Sequence, residues 1–216
     1  MKKIFFIFGL ILVIPLTNLN AQRIGKLAPE KEPEVYPNNA WGIDIMFGES
    51  GFGLGTFYRY QIADKWTAFA DLSFAEAKDD REIEYIDYFG QTFVIGKKNR
   101  VFQLPLVFGL QYRLFKGEIA DNLRPYLSAG AGPTLVITTP YEEEFFSAFG
   151  NAQSKFALGG YLGIGANFGI DKSSLVGLSV RYFRVQFFDD GVESLFGRFK
   201  DNLSGFFIAL NLGLMY

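Results

Sequence analysis

The residue types that most enzymes use for acid–base and nucleophilic chemistry are missing from this sequence, which contains no His and no Cys. There is therefore no imidazole to act as a general base and no thiolate nucleophile. Two carboxylates could still hydrolyse glycosides, but no pair of acids at a helpful spacing stands out. We expect a protein that is not an enzyme and has no catalytic residues, no cofactor and no metal site.

Two other patterns have the composition of binding sites. The glycine-rich runs 51–55 and 130–132 resemble phosphate-binding loops in composition, but they lack the Lys-Ser/Thr pair and the strand-to-helix context that such loops need. The acids Glu142 to Glu144 offer hard oxygen ligands for a divalent cation, although a solvated acidic loop is the simpler interpretation. We interpret the glycines as small residues that accommodate bulky neighbours such as Phe57 and Tyr126.

Polar and charged residues recur at alternate positions of apolar segments and are predicted to face inward. They are Asp44, Arg59, Asp71, Gln103, Gln111, Arg113, Arg124, Asn167, Arg181 and Asn211. Because buried charges must be paired or hydrated, we expect Arg/Asp pairs, with Arg59 or Arg113 against Asp44 or Asp71. The pattern leaves the register of these pairs open. Structural pairing is favoured over a catalytic or conducting cluster.

Eight segments with a period of two must position these side chains, because alternation is the mark of a strand with two different faces. They cover about 41–48, 52–61, 66–74, 102–114, 124–137, 156–168, 176–183 and 203–216. The connections after the second, fourth and sixth segments are short, whereas those after the third, fifth and seventh are long. Only the first connection is an exception. This arrangement is typical of an even-stranded membrane barrel with short turns at one end.

The aromatic residues, 25 Phe and 11 Tyr among them, sort into two levels along these segments. One level holds Trp41, Tyr60, Trp66, Phe168 and Tyr216, and the other holds Phe47, Phe52, Phe74, Phe102, Phe156 and Phe206. Two aromatic girdles separated by aliphatic residues indicate two membrane interfaces. The alternative is a secreted, lipocalin-like barrel whose apolar residues face inward.

The N-terminal residues are predicted to lie outside the barrel. Residues 1–21 have the basic start, apolar run and small cleavage-site residue of a signal peptide; a membrane anchor is the alternative. Residues 22–39, with Pro29, Pro33 and Pro37, predict an extended periplasmic tail before a barrel domain at 40–216. The leader holds two of the 21 Lys and Arg and none of the 23 acids, so the remainder has 19 bases and a net charge of −4. That charge excludes a nucleic-acid partner.

The last segment carries the most specific pattern, with one apolar face that ends on an aromatic residue. That face consists of Phe206, Ile208, Leu210, Leu212, Leu214 and Tyr216. It resembles the last strand of bacterial outer-membrane β-barrels, and as a whole the chain is similar to small eight-stranded barrels of the OmpA/OmpW-like and PorT-like superfamily. The resemblance implies an all-β, eight-stranded antiparallel transmembrane barrel, an up-and-down meander, in a Gram-negative outer membrane. It also implies insertion by the barrel-assembly machinery and contact with outer-membrane lipid and lipopolysaccharide.

The function predicted on this basis is a structural or interaction role through long extracellular loops, with an extracellular or periplasmic protein as a possible partner. A small-molecule transport or ligand-binding barrel, which would be OmpW-like, is the first alternative. An accessory component of a secretion system, which would be PorT-like, is the second. Since the interior of eight strands is just wide enough for side chains to fill, we expect a plugged lumen.

Overall fold

The computed structural model describes residues 37–49, 51–79, 81–119, 122–169 and 172–216. The strands in chain order are β1 (Ala40–Gly48), β2 (Gly51–Ala63), β3 (Trp66–Ala77), β4 (Glu84–Ile86), β5 (Thr92–Val94), β6 (Asn99–Arg113), β7 (Leu123–Pro140), β8 (Gln153–Gly169), β9 (Ser174–Gln186), β10 (Val192–Leu195), β11 (Arg198–Lys200) and β12 (Asn202–Met215). A short 3-10 helix covers Ser147–Asn151. The predicted signal peptide and most of the predicted tail lie outside the described residues.

Eight of these strands form one closed antiparallel barrel in the order β1-β2-β3-β6-β7-β8-β9-β12, and β12 pairs back onto β1. The predicted eight-stranded meander is therefore confirmed. Closure leaves no unpaired edge among the barrel strands, which is the condition for crossing a bilayer with strands. Within the described residues, no helix is long and apolar enough to cross a membrane.

The period-two pattern separates an inner face from an outer face. In β1, Asp44 and Met46 point into the barrel and are almost completely buried, whereas Trp41 and Ile43 point outward and are about half exposed. The same arrangement holds in β12, where Ala209 is buried and Ile208 is exposed. Because the apolar residues face outward, the lipocalin-like alternative is wrong.

The two ends of the barrel differ. Three long connections, residues 78–98, 141–152 and 187–201, leave the barrel at one end, which we call the long-loop end. The turn from β1 to β2 also lies there and is tight, because Gly48 pairs with Gly51, whose φ of +122° favours glycine. The short connections and residues 37–39 lie at the other end, the short-turn end.

Aromatic residues line the outer wall at both levels, as predicted. At the long-loop end Phe47 packs against Phe52, with ring centroids 5.4 Å apart. At the short-turn end Trp66 packs against Tyr112 at 4.9 Å. The aromatic level at the long-loop end, which we call the upper girdle, has one unusual member. Phe102 is only 6% exposed, although its strand position faces outward.

The long connections contain secondary structure that the sequence pattern did not predict. Strands β4 and β5 form a hairpin within residues 78–98, and β10 and β11 form a second one within residues 187–201. The first hairpin turns at Asp87, whose carboxylate accepts hydrogen bonds from the backbone N–H groups of Phe89 and Gln91. Both connections are therefore ordered extensions of the barrel.

Candidate functional site

A chain of ion pairs between two arginines and two aspartates lies in the lumen. Arg59 forms an ion pair with Asp71, and Arg181 Nη1 lies 2.7 Å from Asp44 Oδ2. Arg181 Nη1 also lies 3.6 Å from Asp71 Oδ2, so the two pairs are joined. All four side chains are at least nine-tenths buried. The two positive and two negative charges balance within this cluster, which we call the lumen network.

Neutral polar groups satisfy most of the remaining atoms of the lumen network. The Tyr161 hydroxyl donates to Asp71 Oδ2 at 2.6 Å, and the Asn211 amide donates to Asp44. The guanidinium of Arg181 lies 5.2 Å from the centre of the Tyr161 ring, a cation–π distance. A buried charge network of this kind is stable only when its members pair with one another, and these do.

Apolar layers fill the lumen around the network. One cluster of buried side chains comprises Met46, Phe69, Ala75, Val107, Tyr161, Phe183, Phe207 and Ala209. A second, which reaches the long-loop end, comprises Ala77, Val101, Val136, Ala157, Val185, Phe187, Val192 and Leu203. A third, nearer the short-turn end, comprises Ala40, Phe57, Leu175 and Met215. The lumen is thus packed like a protein core.

The inward glycines of β7 and β8 make room for these large side chains. A Cβ on Gly130 would lie 2.8 Å from the ring of Phe69, and one on Gly165 would lie 2.7 Å from the hydroxyl of Tyr126. Real Cβ atoms do not approach other atoms so closely. The glycines therefore accommodate bulky neighbours and do not open a channel.

Apart from Asn211, the other predicted lumen residues do not belong to the network. At the short-turn end, Gln111, Arg113, Arg124 and Asn167 line a cavity of about 50 Å³, which Arg59 of the lumen network also lines. Arg124 Nη1 there donates to the backbone carbonyl of Pro37 at 2.7 Å. Gln103 lies toward the long-loop end and is 5% exposed. The structure thus brings Asp44, Arg59, Asp71 and Arg181 together, with Arg59–Asp71 among the pairings that the sequence allowed.

At the long-loop end, a buried ion pair within residues 78–98 is hydrogen-bonded to residues 187–201. Lys97 Nζ lies 2.8 Å from Glu82 Oε2, and their side chains are only 6% and 3% exposed. The Ser194 hydroxyl, from β10, donates to Glu82 Oε1 at 2.5 Å. The backbone N–H of Lys98 also donates to the Ser194 carbonyl at 2.7 Å. We call Glu82, Lys97 and Ser194 the loop lock.

Further contacts join the same two connections, and the backbone N–H of Tyr141 donates to the Lys98 carbonyl at 2.9 Å, which joins residues 141–152 to them. Lys98 forms an ion pair with Glu193, and the Asn99 amide donates to the Glu193 carbonyl at 2.7 Å. The hydrogen bond from Lys98 holds the pKa of the Glu193 carboxyl below its usual value, so this carboxylate is charged at neutral pH. Arg100 donates to the carbonyls of Pro140 and Glu143. The three connections therefore form one ordered structure, the loop cap.

The loop cap and the adjoining barrel wall enclose an open cavity of about 280 Å³, which we call the vestibule; Lys98 and Lys155 line it. Lys155 is paired with Asp189 at 2.9 Å. Val136, which is fully buried in the apolar layer, also lines this space. Val136 and Val192 belong to the apolar layer that reaches the long-loop end, so this layer forms part of the vestibule wall.

The hairpin of β4 and β5 presents large apolar side chains to solvent. Tyr88 and Phe89 at its tip are 98% and 85% exposed, and Ile86 is 75% exposed. Tyr85 and Phe93 pack side by side on one face, with ring centroids 5.9 Å apart. So much exposed apolar area on an ordered element is typical of a surface that meets a partner.

The sequence analysis missed the loop lock and the exposed hairpin. An available signal was the turn Asp87–Gly90 between two segments rich in β-branched and aromatic residues. No local signal pairs Glu82 with Ser194, since 112 residues separate them. Among the described residues no group of three or more acidic side chains is arranged to hold a metal ion, and this covers Glu142 to Glu144.

The sequence model of a family described as "Outer membrane protein beta-barrel domain" matches residues 34–215. The chain belongs to this family. Its closed eight-stranded barrel with an apolar outer wall is an outer-membrane β-barrel. No curated protein matches the chain.

Three of the solved structures that are similar to this chain are bacterial surface or outer-membrane proteins. The attachment invasion locus protein Ail of Yersinia pestis is 13% identical, with 84% of this chain and 100% of that chain covered and a TM-score of 0.43. Neisserial surface protein A is 10% identical, with 82% and 94% covered and a TM-score of 0.49. OprG of Pseudomonas aeruginosa is 14% identical, with 84% and 97% covered and a TM-score of 0.41. Identity this low says nothing about function.

Proposed function

We propose that this protein is a non-enzymatic outer-membrane barrel that acts through its loop cap, as a structural or interaction protein. The observation that carries the proposal is the contrast between the two parts of the molecule. The lumen is filled by the lumen network and its apolar layers, whereas the long-loop end is ordered and exposes apolar side chains. In barrels of this kind the long loops are extracellular, so the partner is extracellular.

The filled lumen supports this role over transport. Transport of ions or polar solutes through a barrel needs a continuous polar path, and here an apolar layer lies between the vestibule and the lumen network. The test is whether the purified barrel passes ions across a lipid bilayer, which a sealed barrel does not do. No observation on the described residues bears on the secretion-accessory alternative.

Recognition by the barrel-assembly machinery and contact with lipopolysaccharide are part of the same proposal. The apolar face of β12 and the half-exposed girdle residues support it, because they give the outer wall two interfacial levels. A signal peptide at residues 1–21 would supply the export that this location requires.

The loop lock leads to a prediction of how fast trypsin cleaves the loop cap. We expect Glu82→Gln to increase the rate of trypsin cleavage within residues 78–98 and 187–201 of the folded barrel by about tenfold or more. The reason is that Gln leaves the buried Lys97 ammonium without a counter-charge, a loss of about 3–5 kcal/mol for a buried pair. Limited proteolysis in detergent micelles, read by mass spectrometry, measures it.

The matched control is Glu84→Gln, two residues away. Glu84 is paired with Lys78 at 2.7 Å, but its side chain is 51% exposed. Exposed pairs contribute about 0–1 kcal/mol, so cleavage of this variant should stay close to that of the parent protein. Equal cleavage of both variants would show that the buried pair does not hold the loop cap together.

A further inference from the structure

Phe102 should face lipid but does not. It lies on β6, opposite Ile137 on β7 and Glu76 on β3, and its chain neighbour Gln103 points into the lumen. The alternation of a strand therefore places the Phe102 ring on the outer wall. Other outward aromatics of the barrel, such as Phe156 and Phe206, are 76% and 52% exposed, whereas Phe102 is 6% exposed.

The connection between β7 and β8 covers this ring. Phe149, from the 3-10 helix, stacks on Phe102 with ring centroids 6.0 Å apart, and Phe145 meets it edge-on at 6.1 Å. Phe74 of the upper girdle stacks on Phe102 at 5.3 Å. Residues 141–152 therefore fold down over the outside of the barrel wall.

The connection is held in this position by ordered contacts. Arg100, also outward-facing on β6, donates from Nη1 to the carbonyls of Pro140 at 2.9 Å and Glu143 at 3.1 Å. Ala148 of the 3-10 helix is completely buried, and its N–H donates to the Glu144 carbonyl at 2.9 Å. The fold of residues 141–152 is thus tied to the wall through both backbone and side chains.

The large apolar side chains that this segment leaves exposed are three phenylalanines. Phe146 is 81% exposed, Phe145 44% and Phe149 39%, and Phe145 and Phe146 pack edge-on at 5.3 Å. Through Phe102 and Phe74 these rings are continuous with the upper aromatic girdle. Aromatic rings are enriched at the level where acyl chains meet headgroups.

We propose that residues 141–152 form a lateral foot that rests on the outer-leaflet lipid of the membrane holding the barrel. Phe145, Phe146 and Phe149 enter the boundary between acyl chains and headgroups, and the charged Glu142 and Glu144 stay on the aqueous side. Continuity with the membrane-facing wall identifies lipid as the occupant. The foot widens the lipid contact on the side of β6 to β8, and it withdraws this segment from the extracellular surface of the loop cap.

The absence of Cys allows a single engineered thiol to be labelled without background. We would label Phe146→Cys with an environment-sensitive fluorophore and insert the protein into phosphatidylethanolamine/phosphatidylglycerol vesicles. Leu162→Cys, on the lipid-facing wall, and Arg198→Cys, on the exposed strand β11, are the lipid and water references. Lipids with a nitroxide near the headgroup should quench at least about half of the Phe146→Cys signal, as for a group at the interface. Aqueous iodide should quench mainly Arg198→Cys.

Three outcomes would overturn the proposal. The first is a Phe146→Cys label that behaves like the Arg198→Cys label, open to iodide and untouched by the nitroxide lipid. The second is protection from iodide that disappears when the protein-to-lipid ratio is lowered, because a second copy of the chain would then be the cover. The third is the same water-like behaviour for Phe145→Cys, which serves as the second probe if Phe146→Cys fails to fold.

Discussion

Deleting residues 214–216 is expected to abolish insertion and to leave unfolded, aggregated protein in the periplasm. These residues complete the seam where the last strand meets the first: Leu214 pairs with Trp41, Met215 pairs with Ala40, and the Tyr216 N–H donates to the Asn39 carbonyl at 3.0 Å. Without them the end of β1 loses its partner, and an open strand edge is not tolerated in a bilayer. The measurement is the heat-modifiable folded band on unboiled gels, which should disappear.

The matched control for the deletion is Tyr216→Phe. It keeps the aromatic ring and the strand pairing and removes only the hydroxyl, which lies 2.8 Å from the hydroxyl of Tyr58. A single exposed hydrogen bond contributes about 1 kcal/mol, so this variant should insert normally. Normal insertion of the truncated protein would mean that the seam at β12 is not needed for closure.

Replacing Arg181 with Met is expected to destabilise the folded barrel by about 3–5 kcal/mol, measured as a shift of the urea midpoint in detergent or lipid. Arg181 is 2% exposed and contacts both Asp44 and Asp71, so its loss leaves buried carboxylates without their shared cation. Arg184→Met is the control on the same strand, because Arg184 points outward and is exposed. Its urea midpoint should remain close to that of the parent protein.

A double-mutant cycle separates the ion pair from general packing. Asp44→Asn combined with Arg181→Met removes both charges of one pair, so the double variant should lose less stability than the sum of the two single variants. Strict additivity, or an Arg181→Met variant that is as stable as Arg184→Met, would show that the lumen network is not what holds the interior together.

Strand positions and faces could be predicted from the sequence because successive residues of a barrel strand face the lumen and the lipid in turn. Asp44 and Arg181 were recognised as inward-facing for this reason. Their pairing was not predictable, since β1 and β9 are separated in the sheet by β12 and the two side chains meet across the lumen. Which charges meet across a barrel depends on its closure and stagger, and alternation carries no information on either.

The contacts of the loop cap could not be predicted from the alternation of residues, for a different reason. Glu82, Lys97 and Ser194 come from connections that the barrel strands bring to one end, and none of them sits in a periodic segment. Phe102 is a second example. Its outward position was predicted correctly, but Phe145 and Phe149, which cover its ring, lie in a loop and could not be predicted to do so. Tertiary contacts between loops decide both features.

The sealed lumen is the central claim, and the conductance of the purified protein in a planar lipid bilayer tests it most directly. We expect a flat baseline with no steady steps, because the lumen network and the apolar layers fill the part of the lumen that the structure describes. Reproducible single-channel steps whose size changes in Arg113→Ala or Asp71→Asn would contradict the sealed lumen and favour the transport function.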